Sequence, residues 1–371
     1  MGLVIVLVEH LPLFIILILY LGYGFFIEFR LNNYHIILLR FAMAQFISIL
    51  VVNNFCLFIL GQFALRTWKN NLDGIYHKFQ DIIDNYFSLN RFAGFILIYA
   101  LLPIVISIFE SLKKAIPLIK PFSWDVFFMK LDYLIHFNNH PWVLFSPILT
   151  NTIAIRLIDI FYLTWFWLLN IITFWLSWSN RRKLRMQFFV TNLLILFFIG
   201  NLLATVFSSA GPCYYAQIAG VTQNNPYKSL MSRLHSIDDY NLPVYHQYSF
   251  NDNSPIIALE LQDRLWDNYI NKAKAYCEYI SAMPSVHVAF ATLFALTISM
   301  VNIYLGLIFW AYWAVIQIGS VILGWHYAID GYLSTLLTIG LWKLSGFFNK
   351  CFWNKLPENI QSQILSPNLK N

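Results

Sequence analysis

The sequence predicts an all-α fold, a polytopic membrane helix bundle of about eight transmembrane helices. Three observations carry this expectation. Of 371 residues, 59% are hydrophobic and only 11% are charged, against roughly 25% charged in an ordinary soluble domain. Apolar stretches of about 20 residues, the length that crosses a bilayer, recur along the chain. Finally, 34 Phe, 21 Tyr and 13 Trp supply both apolar bulk and the amphipathic rings that settle at headgroup level.

Taken in order, the apolar stretches lie at about 3–27, 41–64, 92–109, 153–178, 187–207, 285–303, 305–325 and 327–347. The first is retained as a span because Met1 to Val8 has no basic n-region and no small-residue cleavage site follows. Glu9 and His10, near its start, read as end-anchoring groups. The stretch Trp124 to Phe145 is too polar to span and too aromatic for open solvent, which places it in the interface. Ahead of the sixth span, Leu261, Leu265, Tyr269, Ala273, Tyr276 and Ile280 recur at helical spacing, while Asp263, Arg264, Asp267, Lys272 and Lys274 fall elsewhere. This predicts an interfacial helix.

The net charge of +6 is spread between apolar runs rather than gathered on one face, which excludes nucleic acid and leaves membrane lipids as partners. Arg181, Arg182, Lys183 and Arg185 form the densest cluster and should face the cytoplasm. Arg66, Lys69, Lys78 and Arg91 join it, as does the tail with Lys350 and Lys355, so both termini are expected to be cytoplasmic. The polar segment from Ser208 to Met283 then faces the periplasm or lumen, together with Lys113, Lys114, Lys120 and Lys130. Cys213 and Cys277 lie in that segment, where an oxidising compartment permits an intrachain disulfide. The expected organisation is an accessory set of N-terminal helices at 1–110, a catalytic membrane domain at 111–347, and a polar cytoplasmic tail at 348–371.

Two strings put ionisable groups at the edges of apolar spans, where such groups are costly: SAMPSVHVAF at 281–290 and GWHYAIDG at 324–331. His326 and Asp330 are four residues apart, so on a helix they share one face and the carboxylate accepts from one imidazole nitrogen. The other nitrogen is left as a nucleophile. Pro284 can open a helix and leave the N–H groups of Ser285 to His287 pointed at an anion such as phosphate. His287, at the same helix start, is placed to protonate a leaving oxygen. Met283, Trp325 and Tyr327 read as packing and interfacial anchors. His136, His140, His235 and His246 have no metal-binding spacing, and the histidine–carboxylate pair lacks third and fourth ligands. Neither a metal nor another cofactor is expected.

These residues resemble the type 2 phosphatidic acid phosphatase superfamily, and within it the inositol phosphorylceramide synthase-like, or inositolphosphotransferase, branch. The superfamily's Pro-Ser-x-His motif is matched by Pro284, Ser285 and His287, and its later His-x-x-x-Asp motif by His326 and Asp330. The resemblance implies a six-helix lipid-phosphatase-like core in which the second histidine is phosphorylated, the aspartate orients it and the first histidine protonates the leaving group. The string SSAGPCYYA at 208–216 looks like the synthase branch's Pro-Pro-x-Tyr region, with Pro212 and Tyr214 or Tyr215 as counterparts. Phosphatases of the superfamily carry an arginine six residues before the nucleophilic histidine; here that position is Ser320, which favours the phosphotransferase branch. Lys130, Arg233, Arg264, Lys272 and Lys274 are then candidates to neutralise the transferred group, Arg264 and Lys130 among them as phosphate ligands.

The function expected is phosphoryl transfer on lipid or polyprenyl phosphoesters through a phosphohistidine, with headgroup transfer as the leading form. A lipid phosphate phosphatase, of the phosphatidate or undecaprenyl pyrophosphate type, is the enzymatic alternative. A non-catalytic transporter or scaffold is the alternative from another class.

Overall fold

The computed structural model describes residues 2–31, 89–179, 181–221, 223–237, 256–271 and 279–356. Among these the chain is all-helical, with no strand. Five helical segments are long and apolar enough to cross a membrane: Val6–Ile27, Arg91–Ile119, Thr152–Trp178, Arg182–Val206 and Ile303–Ile322. The stretch expected to span at 41–64 lies outside the described residues.

The principal helices are α1 (Gly2–Leu31), α2 (Leu89–Ile119), α3 (Asp125–Ile135), α4 (Thr152–Leu163), α5 (Trp165–Trp178), α6 (Arg182–Leu194), α7 (Lys228–Ile237), α8 (Ile257–Ile270), α9 (Val286–Ser299), α10 (Ile303–Ile322) and α11 (Ala328–Asn354). They fall into two compact units. One holds residues up to 111, then 166–194 and those from 341 onward; the other holds 112–165 and 195–340.

In the first unit α1 packs on α6. Glu9, 2% exposed, is ion-paired with Arg185, 4% exposed, whose Nη1 also donates to the Ser179 carbonyl at 3.1 Å. His10 is fully buried, its Nδ1 against the Val6 carbonyl at 2.7 Å. Neither residue is the water-facing end anchor that its position near a span end suggested. A buried carboxylate needs a buried cation, and Arg185 supplies it.

The second unit carries the site. Along the chain, helices depart from the sequence expectation where charges or breaks interrupt an apolar run. α2 continues to Ile119, beyond the expected end at 109, because Lys113 is buried and hydrogen-bonded within the fold rather than forced out to water. The expected span 153–178 is two helices, broken at Thr164, whose hydroxyl donates to the Phe161 carbonyl. α6 runs on into a π-helical stretch, Ile195–Leu203, a geometry that recurs at functional sites. α9 has 14 residues and rises about 21 Å, short of a hydrocarbon core of about 30 Å. It packs along α10, whose start is capped by Asn302 Oδ1 accepting from Tyr304 and Leu305 N–H.

Buried aspartates tie these helices together. α3 turns Asp125, Phe128 and Asp132 inward, a seven-residue spacing that returns to one face after two turns. Its other side exposes Val126, Phe127, Leu134 and Ile135, as an amphipathic helix against lipid would. Asp159 of α4 accepts from Ile257 and Ala258 N–H at 2.7 and 3.1 Å, capping α8. The helix expected from Leu261 onward thus starts at Ile257, and its buried side runs through Ala258, Leu259 and Gln262. Gln262 can face inward because its amide donates to the Leu323 carbonyl. Ala273 and Tyr276 lie outside the described residues, as do Lys272, Lys274 and Cys277, so the expected Cys213–Cys277 bond falls there too.

Candidate active site

Three short segments of the second unit meet at the ends of α9, α10 and α11. The first is the turn between α10 and α11. α10 ends at Ile322, and Gly324 turns the chain at φ +75°. The His326 amide then donates back to the Ser320 carbonyl at 3.0 Å. His326 therefore precedes α11 instead of sharing a helical face with Asp330. The pairing survives because Asp330 sits in the first turn of α11 and reaches back. Its Oδ2 lies 3.3 Å from His326 Nδ1 and accepts from Tyr327 N–H at 3.1 Å. His326 is 5% exposed and Asp330 fully buried. Burial, helped by the Lys113 charge, holds the His326 imidazole well below its ordinary range. A neutral ring donating from Nδ1 to the carboxylate leaves Nε2 with a lone pair.

The second segment opens α9. Ser285 is the N-cap, its hydroxyl accepting from Val288 N–H at 3.4 Å, while its own amide donates to the Asp330 carbonyl at 3.4 Å. Pro284, following a cis bond, stands before the cap. The Ser285 amide is thus occupied by the protein, and the first two helical amides, Val286 and His287, lack intrahelical partners. The His287 ring stacks on Tyr162 (4.6 Å, 28°), meets the edge of Trp165 (5.1 Å, 80°) and lies 5.9 Å from the His326 ring at 62°.

The third segment is the turn after the π-helical stretch. Ala210 and Gly211 N–H groups converge on Asp125, at 3.0 and 2.8 Å to its nearer oxygens, and Tyr327 Oη donates to the same carboxylate at 2.9 Å. Cys213 N–H donates to the Gly324 carbonyl at 2.9 Å, and Ala282 N–H to the Ser209 carbonyl at 2.9 Å. The turn is thereby laced to both histidine-bearing segments. Burial raises the Asp125 carboxyl, against the lowering pull of those two amides and the tyrosine hydroxyl.

Gly211 has φ +104°, and a Cβ there would come within 2.5 Å of the Trp325 carbonyl oxygen, next to His326. Gly211→Ala is expected to cost on the order of 2 kcal/mol or more through strain and collision. Gly220→Ala, at φ +66° with open space around it, carries the backbone strain alone. The melting temperature in detergent should fall further for Gly211→Ala, whose φ 104°, ψ 170° is a glycine-only region and whose Cβ also meets Trp325, than for Gly220→Ala at φ 66°, ψ 23°; equal shifts would mean that neither difference is felt.

Of the other sequence candidates, Tyr214 is buried with its hydroxyl donating to the Gln262 carbonyl at 2.9 Å, and Tyr215 packs edge-on against Tyr227 in the core. Arg233 is engaged with the Leu149 and Thr150 carbonyls. Lys130 and Arg264 are exposed, on the sides of α3 and α8 away from their buried residues. A buried cation near the histidines is Lys113, 2% exposed, whose Nζ donates to Ser281 Oγ at 2.8 Å and whose charge lowers the His326 imidazole. Among the described residues, no group of three or more His, Cys, Asp or Glu side chains converges as metal ligands would.

Residues 126–344 match the family described as the PAP2 superfamily, well over half of the chain. The chain belongs to the PAP2 superfamily. No curated protein and no solved structure matches it significantly. The matched PAP2 region contains His287, His326, Asp330 and Asp132, while Lys113 and Asp125 lie just ahead of it. Membership fixes the coarse activity as that of a phosphatase or phosphotransferase-type enzyme. Sequence reasoning missed Asp125, Asp132 and Lys113. For the aspartates a signal existed: two acids and Phe128 at helical spacing in an otherwise aromatic stretch. For Lys113 there was none, since a lysine at a span end is ordinarily a snorkelling residue.

Proposed function

We propose that this protein transfers phosphoryl-linked headgroups between lipid-linked substrates through a phosphohistidine at His326. The observation that supports this reading best is the placement of His326, its Nδ1 3.3 Å from the Asp330 carboxylate and its ring 5.9 Å from a second imidazole, His287. In the first step Nε2 of His326 attacks phosphorus and the bond to the leaving oxygen breaks. That oxygen takes a proton from His287, which must begin the step protonated. In the second step an acceptor hydroxyl returns a proton to His287 and attacks phosphorus, and the phosphorus–nitrogen bond breaks. With a phosphodiester donor and an alcohol acceptor the product is a phosphodiester, as in the inositol phosphorylceramide synthase type; a phosphomonoester donor gives a phosphomonoester, and with water the reaction is hydrolysis. The membrane-spanning helices favour a lipid or polyprenyl carrier, and Ser320 in place of the phosphatases' arginine favours transfer.

Lys113 is the cation placed to hold the transferred group, with the Val286 and His287 amides as further donors. Lys113→Met is expected to lower kcat/KM about 100-fold, with Lys113→Arg recovering part, measured as phosphate release from dioleoyl phosphatidate in detergent. The reading itself is tested by incubating purified protein with radiolabelled phosphatidate or phosphatidylinositol, with and without alcohol acceptors. An acid-labile, base-stable label on the protein and an acceptor-dependent product are expected, a phosphomonoester from phosphatidate and a phosphodiester from phosphatidylinositol. Product indifferent to every acceptor removes transfer and leaves hydrolysis; no label and no product remove the reaction.

A further inference from the structure

The start of α11 carries more carboxylate than the reaction uses. Asp330 takes the Tyr327 amide, and Asp132, from α3, takes the next two: Ala328 N–H at 2.9 Å and Ile329 N–H at 3.1 Å. Asp132 is 1% exposed. All three amides at this helix start are thus satisfied by two buried carboxylates, which also meet the positive end of the helix dipole. His136 packs beside it: its Nδ1 bonds to the Asp132 main-chain carbonyl at 2.6 Å and lies 3.8 Å from Oδ1, and its Nε2 lies 3.0 Å from Tyr332 Oη, one turn into α11. Tyr227 and Asp330 are the other titratable groups whose charge is coupled to it.

We propose that Asp132 is a positioning residue for the His326–Asp330 pair, acting through the first turn of α11. The proposal rests on the reading of His326 as the nucleophile. Asp330 can reach back to His326 Nδ1 only while the first turn is wound with its amides at this place. Without Asp132, the Ala328 and Ile329 amides are buried donors with no acceptor, an arrangement the chain escapes by shifting the turn. Asp330 moves with it, and the imidazole loses the acceptor that keeps the proton on Nδ1. Burial raises the Asp132 carboxyl, and the nearby Asp330 adds to the rise, while the two amides it accepts pull the other way.

The test combines a readout of the ring with a readout of turnover. Protein labelled with 15N-histidine, its His326 signals assigned by their loss in His326→Asn, reports the tautomer directly. Phosphate release from dioleoyl phosphatidate reports kcat and KM. The wild type should show His326 protonated at Nδ1. In Asp132→Asn, which keeps one acceptor, and more so in Asp132→Ala, the signals should move towards a tautomer mixture. kcat should fall about 10- to 100-fold, as for other groups that orient a reacting imidazole, with KM within about threefold. A tautomer unchanged in both variants overturns the proposal, even if activity falls with the amount of folded protein. An altered tautomer at wild-type kcat overturns it too. If the wild type releases no phosphate, the reaction reading has failed, and the tautomer shift still decides whether Asp132 orients His326.

Discussion

Replacing His326 with alanine should lower phosphate release on the order of 10⁴-fold or more, because on the proposed reading the variant loses the atom that bonds to phosphorus. Asp330→Asn should fall nearly as far while leaving His326 in place, since an amide can present its N–H to Nδ1 and stabilise the wrong tautomer. His287→Ala separates the two imidazoles by leaving group. With an alkoxide to expel, as in phosphatidate, the loss should be about 10²- to 10⁴-fold, the usual contribution of general-acid catalysis. With p-nitrophenyl phosphate, whose phenolate leaves without a proton, most of that loss should vanish, whereas His326→Ala should stay inactive on both substrates. The measurement is steady-state release by folded variants in one detergent. Equal rates in wild type and His326→Ala would remove the nucleophile assignment and leave a non-catalytic membrane protein as the better account.

Ser285, His287, His326 and Asp330 could be singled out as candidates because each has a short-range signature: Ser285 and His287 at the opening of an apolar helix, His326 and Asp330 four residues apart. The local geometry was less legible. The four-residue spacing suggested a helical face, whereas His326 lies in the preceding turn, held by the Ser320 carbonyl, and the carboxylate reaches back to it. Spacing encodes that two side chains can meet, and the backbone path between them is set by what else the turn must bond. Asp125 and Asp132 went unread because their partners are amides of residues 85 and 196 or more positions away, a separation no local pattern carries. Lys113 and Glu9 were read as surface groups for a related reason. Near the end of an apolar run a charge is ordinarily drawn to water, and only tertiary packing reveals a buried partner. The apolar spans, by contrast, need no partner to be recognised, so the all-helical class followed from composition and run length alone.

That partner logic gives the largest expected change in stability. Glu9 and Arg185 lie within apolar membrane-type helices, are almost fully buried and are paired with each other. Removing one charge leaves the other uncompensated in a low-dielectric site. Glu9→Ala should therefore destabilise the protein by about 3–5 kcal/mol, and Glu9→Gln by less, because its carbonyl oxygen still accepts from the guanidinium. Arg185→Met should be comparably harmful, as it strands the carboxylate. The double change Glu9→Met with Arg185→Met removes both charges and should recover much of the loss, since a buried ion pair contributes little over a well-packed apolar one. Thermal unfolding in detergent of the two single variants and the double gives the coupling directly. Additive losses would show that the two residues act independently. A strong recovery would mean that α1 is fastened to α6 by charge compensation, which explains why an acidic residue can stand near the start of so apolar a helix.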